Sequence, residues 1–533
     1  MDAAFTKCCS RVYINLRKSC ISLRKFCVQK LSEREELNIR FNKDPRESPF
    51  SFISLIKAGQ NIYRDTSGCP IPSYTVSRTC GKWGPIVLED ITLISNLASF
   101  DRERVPERAI HALGAGLFGD FEVTHDISQY CKASVFSKVG LKTQVAVRFS
   151  TSRNGRSGPD MIRDPRGFAV RFYTEDGNFD IAGQNMPIFY FRDPMLLPAF
   201  IHSQRGREPK TNLPNPNYQW DFVCLRHDTL FQVMMLYSDW GTPDGYRYMD
   251  GYGVNTFVLI NAANQPVYCK FHWKSQLGKK NMTHEDAAKA RGQNVNYSLL
   301  DLTEAINNGD YPSWDFKIQV MTFEQADSFP YSVLDCTKVN LPEDKYPLIP
   351  VGTMTLNRLP KNFHLEIEQL AFSPANLVPG IQPSLDRVLQ ARLFAYKDSQ
   401  RHRIGNHFMQ VPVNRPLHYP PYNLVRDGQM NTHQEFGFDN NFYPSSFDQA
   451  RPDPSVECLP YFVLNDVYSR YDTLDEDNFT QAREWYESLS DNDRMAIAKN
   501  IAGDLNLKGC TNDIKVSFFK LYIDSQNAEP RRE

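Results

Sequence analysis

The sequence predicts an α+β protein built on an antiparallel β-barrel with helical insertions. Three observations point to it. Short β-branched and aromatic runs, Val145-Ala-Val-Arg-Phe149, Ala169-Val-Arg-Phe-Tyr173 and Pro187-Ile-Phe-Tyr-Phe191, follow one another between Gly, Asn and Asp residues. Residues 256–261 and 266–272 flank Ala-Ala-Asn-Gln and read as a hairpin, and 317–323 and 364–370 extend the set of strands. Helical patterns interrupt the strands around 285–307, and two polar amphipathic helices at 478–489 and 493–505, too few for a core of their own, are expected to dock on the barrel.

Four stretches follow in order: a basic N-terminal extension and arm at 1–100, the barrel with its insertions at 101–357, a segment at 358–475 that wraps another surface, and a helical C-terminal segment at 476–533. A chain of 533 residues buries a large core and holds more than one structural unit. Its 61 Lys and Arg against 62 Asp and Glu leave a net charge of −1, which argues against nucleic-acid binding. No apolar run approaches the roughly 18 residues of a transmembrane helix.

Residues 1–32 carry Lys7, Arg11, Arg17, Lys18, Arg24, Lys25 and Lys30 against the single acid Asp2. Such a start is either a mitochondrial presequence or a solvated arm, and it lacks the apolar region of a secretory signal. The final Pro530-Arg-Arg-Glu533 does not spell a Ser-Lys-Leu type of peroxisomal address. The expected location is intracellular, with mitochondrion, cytoplasm and peroxisome left open. The 12 cysteines show no C-x-x-C spacing, so reduced thiols are expected rather than disulfides or zinc. Residues 405–460 are Pro-rich and aromatic with little periodicity, as in a functional loop or one that wraps a neighbour.

Two stretches carry chemistry. In the first, a dense run of Arg and Glu ends at Ala109-Ile110, and His111 stands before Gly114-Ala-Gly116. An imidazole carried from a charged stretch into a tight apolar one is either a core histidine or a group that exchanges protons near neutrality, with the glycines leaving room for something flat. Gly114-Ala-Gly116-Leu-Phe-Gly119 also spells G-x-G-x-x-G, but the residues after it read as another extended segment. A dinucleotide-binding βαβ unit is therefore not expected.

In the second, Ser384 is a plausible N-cap for a helix with Leu385, Val388, Leu389 and Leu393 at helical spacing. Arg392 and Tyr396 are then i and i+4 on one face, where a guanidinium stabilises a phenolate, a hard anionic oxygen suited to ferric iron. An ordinary interface tyrosine at a helix end is the alternative.

Both stretches, with Arg148-Phe-Ser-Thr151, Arg163-Asp-Pro-Arg-Gly-Phe-Ala-Val-Arg-Phe-Tyr-Thr-Glu-Asp-Gly-Asn178 and Tyr346-Pro-Leu-Ile-Pro-Val-Gly352, resemble the haem catalases of the small-subunit animal type, from about Gly84 to about Leu505. The resemblance implies an eight-stranded barrel with haem b held inside, a homotetramer, and dismutation of hydrogen peroxide to water and dioxygen in response to oxidative stress. It, and not the spacing, makes Tyr396 the proximal iron ligand. It makes His111 the distal acid–base group, oriented by Ser150, which shares a strand face with Arg148. It also places Arg108, Arg148 and Arg392 against the haem carboxylates or the phenolate, Phe189 on the porphyrin, and Asp164 and Ser152 along the substrate channel.

Departures from the family pattern bear on activity. Gln184 stands where the family has a distal Asn, and one added methylene shifts the amide by ~1 Å, a displacement that can cost ~100-fold in rate. Asn185 next to it should point the other way on an extended chain. Leu197 replaces a phenylalanine near the haem and Ser152 a valine that narrows the channel, so a peroxidase or organic-hydroperoxide enzyme is an alternative, as is a low-activity haem-binding protein. Ser238, Tyr252, Lys274 and Gln481 match the family's NADPH site. Phe231, Trp240 and Asp250 replace a histidine, an arginine and an asparagine there, which makes NADPH binding doubtful.

Overall fold

The computed structural model describes residues 62–527, apart from 340, 419–426, 432–441, 448–450, 461–468, 475 and 508. The basic stretch 1–32 and parts of 405–460 lie outside the described residues.

Ten strands run in chain order: β1 (Gly114–Val123), β2 (Lys142–Thr151), β3 (Arg166–Thr174), β4 (Gly177–Gln184), β5 (Gly251–Tyr252), β6 (Phe257–Ile260), β7 (Pro266–Ser275), β8 (Ser313–Met321), β9 (Ile349–Arg358) and β10 (Ile381–Pro383). Their pairings are antiparallel. β7 pairs with both β5 and β8, so eight strands close in the order β7-β5-β4-β3-β2-β1-β9-β8, while β6 and β10 extend from β7. Closure leaves no unpaired edge in the ring. The glycine-rich motif at 114–119 lies within β1, which removes the dinucleotide-loop reading.

The lumen is packed solid. The Phe121 ring stands edge-on to Phe172 at 5.2 Å and to Phe316 at 5.7 Å, and Trp273 meets Phe316 at 4.3 Å. Phe149, Val170 and Ile181 point into this core. Their neighbours Arg148, Ser150, Ala169, Ala182 and Gln184, on the opposite pleat face, line a cavity. The expectation of a group held inside the barrel is therefore corrected: aromatic side chains fill the interior, and the cavity lies against the outer face of β2–β4.

Helices cover that face. Leu196–Gln204, Pro216–Leu225 and Leu230–Tyr237 fill the connection between β4 and β5, and Arg387–Ile404 follows β10. The C-terminal helices Thr480–Ser488 and Asp491–Leu507 pack with this layer, where Trp220, Met234, Ile497 and Phe518 share a core. They dock on the helical insertion. A third C-terminal helix, Asn512–Asn527, escaped the sequence reading; its buried Phe518 and Leu521 belong to the same core. The helical pattern near 285–307 is two helices, His284–Gln293 and Tyr297–Asn308.

Three further expectations are corrected. Pro187–Phe191 is not a strand: Ile188 and Phe191 are wholly buried in the helical core, so the run is apolar through packing rather than pairing. Residues 364–368 form one π-helical turn, which buries Glu368 beside Arg108 and Arg156, and this charge pairing overrides the alternating pattern. The N-cap of the Arg387–Ile404 helix is Asp386, whose carboxylate accepts the N–H groups of Val388 at 2.9 Å and Leu389 at 3.1 Å. Ser384 instead donates to the Thr256 carbonyl, since a carboxylate is the stronger acceptor for helix N–H groups.

Candidate active site

The cavity, about 290 Å³, is lined by Arg108, His111, Arg148, Ser150, Ser152, Gln184, Phe189, Leu197, Arg392 and Tyr396 among others. All but one of the expected site residues meet there, although they are spread over nearly three hundred positions of the chain.

His111 sits in the loop entering β1 with φ 65°, a left-handed conformation uncommon for a residue with a side chain. Hydrogen bonds fix it on both sides. Its N–H donates to the Ser152 carbonyl at 3.2 Å, and its carbonyl accepts Nη1 of Arg148 at 2.8 Å. Arg148 also donates to the Ala112 carbonyl at 3.0 Å. Gly114 makes this possible, because a Cβ there would lie 2.8 Å from the Arg148 guanidinium. The space beside Gly116 is taken by Ile367, so the two glycines admit protein side chains rather than a flat ligand.

The ring of His111 has Nδ1 3.0 Å from Ser150 Oγ. Burial, reinforced by the charges of Arg148 and Arg392, pulls its pKa from the ordinary value to about 3, so it is neutral at pH 7. Gly167 on β3 is a residue that sequence reasoning missed. A Cβ at that position would collide with Ser150 Oγ and lie 2.8 Å from His111 Nδ1.

On the opposite side, Val388, Ala391, Arg392, Ala395, Tyr396 and Ser399 present one face of the Arg387–Ile404 helix to the cavity. Arg392 Nη2 donates to the Tyr396 hydroxyl oxygen at 2.9 Å, as the i, i+4 spacing predicts. Arg392 is itself held by the Asn255 side-chain oxygen and the Ala182 carbonyl. Asn255 donates in turn to Asp386 at 2.7 Å. Neither Asn255 nor Asp386 was foreseen.

Gln184 lines the cavity, yet its side-chain N–H is donated to the Ile188 carbonyl. Asn185 points away, accepting the Arg166 N–H at 2.8 Å and donating to the Trp240 carbonyl at 3.1 Å. Asp164 is the site residue placed elsewhere: it is fully buried and does not line the cavity. Its carboxylate accepts the N–H groups of Ser152 and Arg153 and pairs with Arg153 Nε at 3.0 Å.

The cavity fits haem. Arg108 and Arg148 stand at its rim with Arg156 and Arg403 nearby, against the one buried carboxylate of Glu368. Arg108 donates Nη2 to the Ile367, Glu368 and Leu370 carbonyls, leaving Nη1 without a hydrogen bond, as is Nε of Arg148. Burial lowers the pKa of both, that of Arg148 to about 10, and repulsion from Arg148 and Arg403 lowers that of Arg108 further. An anionic edge would satisfy these donors and offset the excess charge. Between the rim and Tyr396, Val254, Phe372 and Ala391 supply apolar wall.

The positions matched to a nucleotide site are occupied by internal contacts. Asp250 pairs with Lys274 at 3.5 Å and accepts the Ser275 N–H, and Lys279 lies 4.2 Å from the centre of the Trp240 ring. The Gln481 side chain bonds both backbone groups of Val339, and the Ser238 hydroxyl donates to the Met235 carbonyl.

Comparison with known proteins matches residues 64–449 to the catalase family model and 473–522 to the catalase-related immune-responsive model. The chain is 48% identical over 487 residues to the catalase of Glandirana rugosa, covering 90% of this chain and 91% of that one. It is 49% identical over 468 residues to the catalase of Mus musculus, covering 87% and 88%. Among solved structures, a fungal catalase superposes with a TM-score of 0.85 at 36% identity over 90% of this chain and 96% of that one. Catalase A of Saccharomyces cerevisiae gives 0.84 at 39% over 87% and 96%.

Proposed function

The chain belongs to the catalase family, and we propose that it dismutates hydrogen peroxide to water and dioxygen in the cavity between His111 and Tyr396. The observation that carries this reading is the pair of supported groups lining one cavity, an imidazole on Ser150 and a phenol on Arg392.

Membership implies haem, which when bound supplies the redox chemistry of O–O bond cleavage. In this reading Tyr396 would hold the haem, haem b, through its phenol oxygen, Arg108 and Arg148 would pair with its carboxylates, and Phe189 would pack against it. Arg392 keeps its guanidinium on the phenol oxygen and so fixes its position. His111, neutral at pH 7, receives the proton of one peroxide oxygen at Nε2, because Nδ1 is engaged by Ser150. Its low proton affinity makes that protonation transient, so the proton passes on to the departing oxygen.

A second reading, a peroxidase or organic-hydroperoxide enzyme of the same fold, is favoured by Gln184. With its N–H on Ile188, and with Ser152 and Leu197 in the wall, the distal side holds fewer free donors for a small peroxide. NADPH is not expected to bind, since Asp250 both repels phosphate and neutralises Lys274. Titration with micromolar NADPH that gave saturable, stoichiometric binding would contradict this.

A homotetramer is supported by the helix Ile91–Asp101, which has no buried residue and exposes Ile91, Ile94, Leu97 and Phe100. Among the described residues no helix is long and apolar enough to cross a membrane.

The test is an absorption spectrum of the purified protein with oxygen evolution on adding hydrogen peroxide. The expected result is a high-spin ferric tyrosinate-type spectrum with rapid oxygen release. The same spectrum without oxygen would move the reading to the peroxidase or to a low-activity haem-binding protein.

A further inference from the structure

Leu197, Phe200 and Ile201 of the helix Leu196–Gln204 form one wall of the cavity. Arg205, the residue that ends this helix, reaches past the wall to the backbone on both flanks of the distal histidine. Its Nη1 donates to the Ala109 carbonyl at 2.6 Å and its Nη2 to the Ser152 carbonyl at 3.1 Å. The Ser152 carbonyl is also the acceptor for the His111 N–H. One arginine thus bridges the segment entering His111 and the carbonyl on which His111 hangs.

The Ser152 peptide is gripped from its other side by Asp164. That carboxylate binds the N–H groups of Ser152 and Arg153, and pairs with an Arg153 side chain that donates onward to Gln219 of the neighbouring helix at 3.1 Å. Asp164 is fully buried. His111 holds a φ of 65°, which persists only where surroundings over-determine it. Arg148 fixes its carbonyl; the Ser152 carbonyl fixes its N–H.

We propose that Arg205 and Asp164 are positioning residues for His111, acting through the Ser152 peptide and tying the channel-lining helix to the distal imidazole. The proposal rests on His111 being the distal acid–base group. A shift of the Ser152 carbonyl moves the His111 backbone directly, whereas a channel residue alters only the approach of substrate.

The test uses the haem-loaded enzyme with cyanide as the probe and backbone amide exchange of the same protein. Arg205→Met removes both carbonyl contacts and leaves the cavity wall in place. The expected outcome is cyanide dissociation about tenfold faster, the scale of one lost charge-assisted hydrogen bond, with association unchanged within about twofold. Exchange of the amides at 111–113 should accelerate. In a His111→Ala background the same substitution should leave cyanide dissociation unaltered, because no ring remains to be positioned. Asp164→Asn should give the same signature more weakly.

Slower association with unchanged dissociation would overturn the proposal in favour of a channel role, as would an equal effect in the His111→Ala background. Unchanged amide exchange in Arg205→Met would also overturn it, and that measurement stands even if the Asp164 variant does not fold. Because exchange and cyanide kinetics do not require turnover, an enzyme that evolved no oxygen would remove the proposed dismutation without deciding this point.

Discussion

Ser150 Oγ lies 3.0 Å from Nδ1 of His111, and this contact leaves Nε2 as the nitrogen not engaged by Ser150. Ser150→Ala frees the ring to rotate without opening the fold. Oxygen evolution is expected to fall ~10- to ~100-fold, with haem content and far-UV circular dichroism unchanged. Wild-type turnover in this variant would remove Ser150 from the mechanism.

Gly167 is required by the same pair. Gly167→Ala places a methyl group against both Ser150 Oγ and His111. Activity should drop at least as far as in Ser150→Ala, and adding Ser150→Ala to it should restore part of the loss, since one of two collisions disappears. Strict additivity of the two losses would count against steric displacement of the ring.

Gln184 offers a gain-of-function experiment. One of its side-chain N–H groups is donated to the Ile188 carbonyl, and the shorter side chain of Gln184→Asn should release that amide to the cavity. We expect faster oxygen evolution, by up to ~100-fold, relative to oxidation of an organic hydroperoxide. An unchanged ratio of the two activities would mean that the position does not set substrate preference.

Acid should destabilise the fold through two histidines. His111 and His272 both have pKa values near 3 in the folded chain, chiefly through burial, against about 6.5 when unfolded. Between pH 6.5 and 3 the unfolded chain binds the additional protons, so stability declines as pH falls, by up to ~1.4 kcal/mol per pH unit for each group. His272→Phe should shallow that slope in denaturant midpoints measured from pH 7 to pH 4. An identical slope in the variant would exclude His272 as a contributor.

The buried pair Arg171–Asp180, 2.8 Å apart and fully enclosed, ties the barrel to the segment beyond it, because Asp180 also accepts the Ser373 N–H at 2.9 Å. Asp180→Ala strands the guanidinium and should destabilise the protein by ~3–5 kcal/mol. Thermal unfolding within a degree or two of wild type would show that the arginine finds another partner.

Much of this molecule was legible in its residues. The strand runs at 145–149 and 169–173 lie within β2 and β3, because an alternating pattern confined to a few residues has few other ways to bury itself. The i, i+4 spacing of Arg392 and Tyr396 led to their observed contact, since helical geometry is local. Where readings failed, burial or charge from distant parts of the chain decided. Pro187–Phe191 is apolar because it serves the helical core, and the turn at 364–368 is set by arginines some 210 to 260 positions earlier.

The sequence by itself therefore determined the fold class and the helix that pairs a guanidinium with a phenol. Only the tertiary structure decided that the cavity lies outside the barrel, that Gln184 donates to the Ile188 carbonyl, and that the buried Asp164 carboxylate accepts the Ser152 and Arg153 N–H groups. The reason is range. Propensity, capping and spacing act within a turn or two of the chain, whereas the side of a strand that is covered, and the partner a buried polar group finds, depend on residues brought near only when the whole chain has packed.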